Sequence, residues 1–398
     1  MVNIVHKFGG SSLSSPERYQ AVANIILANS EVGDCVVVSA AGKTTNTLVK
    51  LWQSFEQQDT QAIADIILLI SNHQSSLIEQ LLIAGAKHEA LNILATELSI
   101  ITQQAKQNIL TEAWLLAHGE LWSARLLSAY LGQLNVSACA LDARQLFTLD
   151  AGQLQHANNQ QQCLKAIDTS KINVVTGFIA ANLQHETVTL GRNGSDYSAT
   201  LLARYCNAKK VSIWTDTQGV FSTDPRKVAN AIKYARVCRE QANLLARLGN
   251  PVLHAKTLSP LKGTDIELIV RSSYDLQGSH NDIVKLGMSK QKRFLTTINN
   301  VDLLTVDDLS EGEVAHVSQL IQHSLHHFEH AGEIYLVAPA SATYQVVNYF
   351  AGRANISESN LNGVAIIASE QDITTLGEQS AALLQSQSIQ PQSPGASF

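Results

Sequence analysis

The chain has 398 residues, of which 45% are hydrophobic and 16% charged, and it carries 22 Gly and only 7 Pro. That composition is ordinary for a folded α/β protein and excludes a disordered chain. The formal net charge of −6 excludes the basic surface that neutralises a nucleic-acid backbone. Scattered cysteines without a CxxC pair, no apolar run of about 18 residues and no export signal favour a cytoplasmic protein without a membrane span.

Short β-branched runs alternate with longer helical stretches through the first part of the chain. This alternation predicts βαβ units and therefore an α/β fold with a mainly parallel sheet. The segments predicted as strands are residues 2–5, 35–38, 172–176, 187–190, 211–214 and 266–270. Each run ends in polar or glycine residues, and ligands collect beyond the carboxyl ends of such strands.

Residues 45–118 are rich in Leu, Ile, Ala and Gln at helical spacing, which predicts several packed helices beside the site. Beyond about residue 290 the pattern restarts. Strands are predicted there at 301–306, 333–337 and 364–368, and helices at 311–328 and 342–350. We therefore expect a large α/β domain over residues 1–290, a small α+β domain over 291–384 and a flexible polar tail over 385–398.

The first chemical signal is the segment from Lys7 to Ser12, KFGGSS, which links a predicted strand to a helix that begins at about Pro16. Gly9 and Gly10 allow the backbone to approach an anion closely, and N–H groups at a helix start favour phosphate oxygens. Lys7 adds a mobile positive charge. A Gly-Gly turn between a strand and a helix is also common for structural reasons, so these residues alone leave both interpretations open.

Two further loops follow predicted strands. Residues 191–196, GRNGSD, precede a helix predicted near Tyr197. Residues 214–216, WTD, and 219–226, GVFSTDPR, present two acids, several hydroxyls and an arginine. Loops at equivalent strand ends indicate one shared ligand, and this mixture of groups suits a nucleotide and its metal.

Together, the motifs at residues 7–12, 191–197, 214–216 and 223–226 resemble, in order and spacing, the signature set of aspartokinases. The resemblance covers about residues 3–290. The segment from His118 to Arg125 is similar to the aspartokinase portion of bifunctional aspartokinase–homoserine dehydrogenases. The resemblance implies a three-layer amino-acid-kinase fold followed by an ACT-like domain.

It also implies the transfer of the γ-phosphoryl group of ATP, with Mg²⁺, to the β-carboxylate of L-aspartate. This is the first step of the pathway to lysine, threonine and methionine. An amino-acid effector and a homodimer or higher homo-oligomer are implied as partners.

By the same resemblance, the implied catalytic residues are Lys7, Arg192 and Asp196. The implied substrate-binding residues are Ser39, Thr45, Glu120, Arg192 and Ser195. The implied nucleotide-binding residues are Lys7, Gly9, Gly10, Ser11, Thr215, Asp216, Phe221, Asp224 and Arg226. Glu120 would bind the α-ammonium group of aspartate and Arg192 a carboxylate.

The chemistry of the acceptor agrees with this assignment. A β-carboxylate has a pKa near 3.9, so at pH 7 about one molecule in a thousand carries the proton and no general base is needed. The protein must instead offset the repulsion between an anionic nucleophile and an anionic phosphate. Lys7, Arg192 and loop amides, with Mg²⁺, suit that task, and Asp196 is better interpreted as a positioning group.

Each of these residues also has a structural interpretation. Glu120 could be an exposed helical acid and Arg192 a solvated turn residue. Residues 224–226, Asp-Pro-Arg, could form an ordinary turn with an ion pair. The histidines of segment 323–330, at 323, 326, 327 and 330, fall at i,i+4 spacing on a predicted helix. A solvated helix face is the favoured interpretation there, and we expect no protein-held metal site.

The sequence departs from the family at two nucleotide contacts. Pro251 stands where many aspartokinases carry a lysine, and proline provides neither the charge nor an N–H, although Lys256 is close in sequence. Phe221 replaces the usual tyrosine.

Only one ACT-like unit is predicted, with a short central hairpin, and no GxGxxG motif of a homoserine dehydrogenase follows.

Two rival functions stay open. One is another kinase of the same superfamily that acts on a glutamate-like or carbamate-like acid, although Thr45 and Glu120 favour a substrate with a free α-amino group. The other is a non-catalytic sensor that binds ATP or an amino acid without turnover, although the presence of Lys7, Arg192 and Asp196 together disfavours it.

Overall fold

The structure is a computed structural model. It describes residues 2–191, 193–216, 219, 221, 233, 236–239, 242, 255–275, 281–284, 294–321, 325–330, 333–350 and 352–367. The chain divides into two compact units. The first comprises Met1–Gly219 and Lys256–Lys285, and the second comprises Val220–Ala255 and Leu286–Phe398. Within the described residues, no helix combines the length and the apolar character needed to cross a membrane.

The strands, in chain order, are β1 Ile4–Phe8, β2 Cys35–Val38, β3 Ala138–Leu141, β4 Thr148–Asp150, β5 Gln153–Leu154, β6 Ile172–Thr176, β7 Ile179–Asn182, β8 Thr187–Thr189, β9 Lys210–Thr215, β10 Arg236–Cys238, β11 Glu267–Ser272, β12 Asn281–Val284, β13 Phe294–Val306, β14 His326–His330, β15 Glu333–Pro339 and β16 Ala354–Ile367. The helices are α1 Pro16–Asn29, α2 Thr44–Glu56, α3 Thr60–Leu81, α4 Ala84–Gln107, α5 Glu112–Gln133, α6 His156–Ala166, α7 Gly194–Tyr205, α8 Ala255–Leu258, α9 Glu311–Leu320 and α10 Thr343–Tyr349.

The main sheet of the first unit has the strand order β12-β11-β9-β1-β2-β6-β3. All neighbours from β11 to β3 pair in parallel, and β12 pairs antiparallel with β11. The central strand β2, with the sequence CVVV, is buried along its whole length, as expected for a strand covered on both faces. The predicted α/β fold with a mainly parallel sheet is thus confirmed.

One predicted strand exists but belongs to a different sheet. Residues 187–190 were assigned to the main sheet, but β8 pairs antiparallel with β7 in a separate small sheet of order β5-β4-β7-β8. A short β-branched run carries the same sequence pattern in a central strand and in a side sheet, so the pattern could not separate the two. This small sheet leads directly into the loop that precedes α7.

The helices α2 to α5 span residues 44–133, a stretch that includes the segment 45–118 predicted as several packed helices. Asp59 caps α3 by accepting the N–H of Ala62 at 3.0 Å, and Asn108 ends α4 in the left-handed conformation. Helix α5 has buried residues from Leu115 to Leu127, because it packs against both the sheet strand β6 and the other helices. A polar side chain in this part of α5 is therefore removed from water.

The second unit contains a βαββαβ sequence formed by β13, α9, β14, β15, α10 and β16. Its strand order, β14-β15-β13-β16, is all antiparallel. Leu304, Leu336, Val317 and Phe350 are among the buried residues of its core. This is the ferredoxin-like arrangement, a form of the α+β fold. The predicted tail, residues 385–398, lies outside the described residues.

The helix predicted at 311–328 was wrong in its second half. Helix α9 ends at Leu320, and His326, His327 and His330 lie on strand β14, which pairs antiparallel with β15. His323 lies outside the described residues. Helical i,i+4 spacing therefore does not apply to these histidines, and tertiary pairing with β15 overrides the local helical pattern.

Candidate active site

Four loops of the first unit meet at one edge of the main sheet. The strands β9, β1, β2 and β6 are parallel neighbours, so their carboxyl ends lie side by side. The residues that directly follow them are Asp216, Gly9, Ser39 and Gly177, respectively. Three of these residues belong to the site predicted from the sequence, and the fold brings them to the same edge.

Lys7 and Asp196 form an ion pair at this edge. Lys7 is the next-to-last residue of β1, and Asp196 lies in the first turn of α7, where an acid interacts favourably with the helix dipole. The Lys7 Nζ and Asp196 Oδ1 atoms are 2.5 Å apart, with side chains 12% and 16% exposed. The two charged residues that the first and second loops contribute are therefore in direct contact.

The loop after β1, residues 9–12, packs closely against the loop after β2. The Gly42 N–H donates to the Gly10 carbonyl at 2.9 Å. A Cβ atom on Gly10 would lie 2.8 Å from the Ala40 carbonyl oxygen, which is closer than real contacts allow. Only glycine fits at this position. A Cβ atom on Gly9 would lie 3.4 Å from Lys7 Nζ, so the lysine side chain passes directly beside Gly9.

Glu120 is a buried acid whose carboxyl group faces the loop after β2. It is 3% exposed, and its Oε1 accepts the N–H of Ala40 at 3.1 Å. Its Oε2 has no hydrogen-bond partner among the described residues. Burial raises the pKa of Glu120 to about 8, although the N–H groups of Ala40 and of Glu120 itself and the charge of Lys7 act in the opposite direction.

The contact between α5 and this loop requires Gly119. A Cβ atom on Gly119 would lie 2.6 Å from the Cβ of Ala40, so a larger residue would push the helix away from the loop. His118, the residue directly before Gly119, is buried and lies within hydrogen-bond distance of the Trp114 carbonyl, Nδ1 to oxygen 3.0 Å. The His-Gly-Glu step therefore serves to bring the Glu120 carboxyl to the sheet edge.

Ser195 lies at the start of α7, against the loop after β6. It is 8% exposed, and a Cβ atom on Gly177 would lie 2.6 Å from the Ser195 Oγ. The next residue, Phe178, has a φ of +70°, which is strained for a residue with a side chain. Its N–H donates to the Ser198 Oγ at 3.0 Å.

Sequence reasoning missed Gly177 and Phe178. They could have been found because a glycine directly follows the predicted strand 172–176, the same pattern that identified the other loops.

Lys256 contacts the second glycine loop. Its Nζ donates to the Leu190 carbonyl at 2.7 Å and lies 5.0 Å from the centre of the Tyr197 ring. Burial lowers the pKa of Lys256 below its ordinary value. Lys256, the lysine close in sequence to Pro251, thus binds the backbone just before Gly191. Pro251 lies outside the described residues.

The remaining predicted residues fall into three groups. Ser39 donates its N–H to the Phe8 carbonyl at 3.1 Å, Thr45 is half-buried in the first turn of α2, and Thr215 Oγ1 donates to Asp216 Oδ1 at 3.1 Å. These residues and Ser11 lie in the first unit. Phe221 lies in the second unit, in an isolated bridge with Lys233. The predicted residues outside the described part of the chain are Arg192, Asp224 and Arg226.

Comparison with known proteins identifies the family. The model of the family described as "Amino acid kinase family" matches residues 3–272. The chain therefore belongs to the amino acid kinase family.

Similar proteins agree with this result. The chain is 39% identical over 308 residues to the bifunctional aspartokinase/homoserine dehydrogenase 2 of Escherichia coli K12, a match that covers 75% of this chain and 38% of that protein. It is 32% identical to the lysine-sensitive aspartokinase 3 of E. coli K12, over 68% of this chain and 62% of that protein. The chain thus spans less than two thirds of the length of either relative.

A solved structure is similar over almost the whole chain. The crystal structure of E. coli aspartokinase III in complex with aspartate and ADP, in the R-state, matches with a TM-score of 0.78 and 26% identity. The match covers 99% of this chain and 94% of that one. A second E. coli aspartokinase III structure, in complex with lysine and aspartate in the T-state, matches with a TM-score of 0.72 and 27% identity.

Proposed function

We propose that the chain is an aspartate kinase, which transfers the γ-phosphoryl group of ATP to the β-carboxylate of L-aspartate and forms 4-phospho-L-aspartate. The observation that carries the proposal is the meeting of Lys7, Asp196 and the buried Glu120 carboxyl at the end of the parallel sheet. The two E. coli relatives named as aspartokinases, and the structure of one of them with aspartate and ADP, support it.

On the acceptor side, Glu120 is suited to bind the α-ammonium group of aspartate. A buried carboxyl with one oxygen hydrogen-bonded to Ala40 and the other without a partner in the described structure is stabilised by a cationic donor. Ser39, Thr45 and Ser195 offer hydroxyls for the rest of the substrate, and Arg192 a bidentate donor for a carboxylate. These roles favour aspartate over N-acylated acids, which carry no ammonium group.

On the phosphoryl side, the protein supplies charge and alignment. Lys7 carries the positive charge that offsets the repulsion between the β-carboxylate and the γ-phosphate. We assign the N–H groups of residues 9–11 to the phosphate oxygens, because glycine-bearing loops that lead into a helix bind phosphate in this way. The acceptor is already ionised at pH 7, so proton removal is not required and Asp196 acts by holding Lys7 in place.

ATP is proposed to bind beside the end of β9. The residues assigned to it are Thr215, Asp216, Phe221, Asp224 and Arg226, together with the loop 9–11. The described residues contain no group of three His, Cys, Asp or Glu side chains that could hold a cation alone. Mg²⁺ does not require such a group, because it usually binds to one or two carboxylates and to the phosphates of the substrate. The exposed Asp216 carboxylate would hold it, and Mg²⁺ would neutralise phosphate charge.

The wider assignments are proposals of the same kind. Residues 1–290 would form the catalytic domain, and residues 291–384 an ACT-like domain for regulation or dimerisation. A cytoplasmic homodimer or larger homo-oligomer, an amino-acid effector and a place at the start of lysine, threonine and methionine synthesis belong to this proposal. The βαββαβ unit supports the ACT-like assignment.

The test is a hydroxamate assay with purified protein, Mg-ATP and L-aspartate, in which hydroxylamine traps the acyl phosphate. L-Glutamate and N-acetyl-L-aspartate serve as alternative acceptors, and ADP release is followed in parallel. We expect turnover with L-aspartate alone, and its loss in Lys7→Ala and Arg192→Ala. Equal turnover with L-glutamate, or heat of ATP binding without any turnover, would contradict the proposal.

A further inference from the structure

Residues 272–275 form a turn at the end of β11 that is closed by local hydrogen bonds. The Ser272 Oγ accepts the N–H groups of Tyr274 at 3.2 Å and Asp275 at 3.3 Å. A serine side chain that bonds its own backbone two and three residues ahead fixes the turn without help from other elements. We call this segment turn 272–275. None of its residues was singled out by the sequence motifs.

Ser273 joins this turn to two segments of the proposed nucleotide site. Its N–H donates to the Thr215 carbonyl at 2.9 Å, at the end of β9. Its Oγ lies 2.8 Å from the Oγ of Ser12, in the loop after β1. Ser12 is fully buried and Ser273 is 2% exposed, so this hydroxyl pair is shielded from water. Hydrogen bonds in such a place are strong and costly to lose.

Arg18 holds Ser273 and Tyr274 from the other side. Its Nη2 donates to the Ser273 carbonyl at 2.8 Å and to the Ser273 Oγ at 2.9 Å. Its guanidinium carbon lies 3.6 Å from the centre of the Tyr274 ring, a stacking contact that lysine could not reproduce. The Tyr274 hydroxyl in turn donates to the Ser11 carbonyl at 2.9 Å.

The loop 9–12 is therefore held on two different sides. On the side of the proposed aspartate site, Gly10 packs against Ala40 and Gly42 through backbone atoms alone. On the side of the proposed nucleotide site, turn 272–275 contacts the loop through side chains. Gly9 and Gly10, the first two residues of the loop, contribute no side-chain packing of their own.

We propose that turn 272–275 and Arg18 position the loop 9–12 for the phosphates of ATP, and that Ser273 and Arg18 are positioning residues for nucleotide binding. The inference rests on the proposed function, because it assigns this loop to ATP. Fixing the loop before binding lowers the entropy lost when the phosphates arrive, so loss of the contacts weakens the nucleotide complex. The aspartate side keeps its own contacts.

The experiment compares Ser273→Ala and Arg18→Met with Ser212→Ala, a serine in the middle of β9 that is also 2% exposed. The affinity for Mg-ATP is measured by titration without aspartate, and KM for each substrate by the hydroxamate assay. Ser273→Ala removes the hydroxyl that contacts the Ser12 Oγ, the Arg18 Nη2 and the Thr215 carbonyl, which predicts a loss of Mg-ATP affinity of about tenfold. KM for aspartate should stay within about twofold, and Ser212→Ala should match the wild type in both.

Tyr274→Phe provides a graded variant. It removes the bond to the Ser11 carbonyl but keeps the ring under Arg18, and the Ser14 Oγ still donates to that carbonyl at 3.0 Å. Its loss of Mg-ATP affinity should be smaller than that of Ser273→Ala. In a double-mutant cycle, Ser12→Ala with Ser273→Ala should lose no more affinity than Ser273→Ala alone, because the two hydroxyls act through each other.

Two results would overturn the inference. One is an equal rise of KM for both substrates, and the other is an Mg-ATP affinity of Ser273→Ala that matches that of Ser212→Ala. Absence of aspartate phosphorylation by a wild-type protein that binds Mg-ATP would instead contradict the proposed function. The titrations would still decide the role of Ser273 in that case. Absence of Mg-ATP binding would contradict both.

Discussion

Lys7 Nζ lies 2.5 Å from Asp196 Oδ1, and this ion pair joins the carboxyl end of strand β1 to the first turn of α7. Both side chains are largely buried, so the pair is held at one place rather than solvated separately. A lysine restrained in this way is held at the sheet edge, where the proposed function requires its charge. Such preorganisation is the form in which a charge contributes most to transition-state stabilisation.

The first prediction concerns this lysine. Lys7→Met keeps the length of the side chain but removes its charge, and we expect kcat in the hydroxamate assay to fall by about 10²- to 10³-fold. The matched control is Lys210→Met, at the amino end of the neighbouring strand β9, where the lysine forms an ion pair of 3.5 Å with Glu267. That variant should keep wild-type kcat. Similar losses in both would contradict a special role for Lys7.

The second prediction concerns the close approach of two loops. Gly177→Ala places a Cβ atom 2.5 to 2.6 Å from the Ser195 side chain, so Ser195 and the start of α7 must shift. A displacement of this kind predicts about a 10²-fold loss of kcat/KM for aspartate. In Gly132→Ala, on α5, the new methyl group meets nothing within 4 Å, and helix propensity predicts unchanged activity with slightly higher stability.

An active Gly177→Ala enzyme with a wild-type KM for aspartate would show that Ser195 is not part of the substrate site. Thermal unfolding of both variants separates this outcome from misfolding. The expected change in stability is opposite in sign for the two glycines, because one lies in a crowded contact and the other on an exposed helix surface.

The sequence was sufficient for the parallel sheet and for the loops at its carboxyl end. Strands β2 and β6 occur at the predicted residues, because short continuous β-branched runs bounded by polar or glycine residues favour buried strands. The sequence was insufficient for short strands whose place in a sheet depends on their pairing partner. The runs at 138–141 and 148–150 were not predicted as strands, and 187–190 belongs to the small sheet, because these depend on neighbours distant in sequence.

The contacts between distant residues at the site could not be predicted from the sequence either. Glycine motifs and charged residues indicated Lys7, Gly10 and Asp196 as candidates, but an ordinary serine such as Ser273 has no sequence pattern of its own, and only the fold brings it to Ser12. The burial of Glu120 also depends on the tertiary packing of α5. Its proposed role was inferred from family resemblance, and it stays a prediction until the acceptor is tested.

The third prediction is a pH dependence of stability that arises from His6. This side chain is buried, and its Nδ1 accepts the Trp214 Nε1–H at 3.1 Å. Burial lowers the pKa of His6 from 6.5 to about 4. Between these two values the unfolded chain binds a proton that the folded chain does not, so the folded state loses stability as the pH falls from about 6.5 towards 4.

His6→Gln removes this titration. Urea unfolding at pH 4.5, 5.5, 6.5 and 7.5 should give a smaller loss of the free energy of unfolding at low pH for His6→Gln than for the wild type. Parallel pH profiles for the two proteins would contradict the assignment of this acid sensitivity to His6.

The fourth prediction concerns Glu120, for which the pH dependence of stability has the opposite sign to that of His6. Burial raises the pKa of Glu120 from 4.5 to about 8, so between these values the folded chain keeps a proton that the unfolded chain has lost. The free energy of unfolding of the wild type should therefore decrease as the pH rises from about 4.5 to 8, relative to Glu120→Gln, which does not titrate. The same urea series, extended to pH 8.5, measures the difference. A constant difference across that range would contradict a protonated Glu120.

The fifth prediction connects this proton to substrate binding. At pH 7 the empty site holds Glu120 mainly protonated, and an α-ammonium group beside it favours the ionised form. Binding of aspartate should therefore release close to one proton per site. Calorimetric titration at pH 7 in buffers of different ionisation enthalpy measures the released protons directly. Glu120→Gln should release none and bind aspartate about tenfold or more weakly, because a neutral amide forms a weaker bond with ammonium. Equal proton release by both proteins would place the titrating group elsewhere and remove the argument for Glu120 as the ammonium-binding residue.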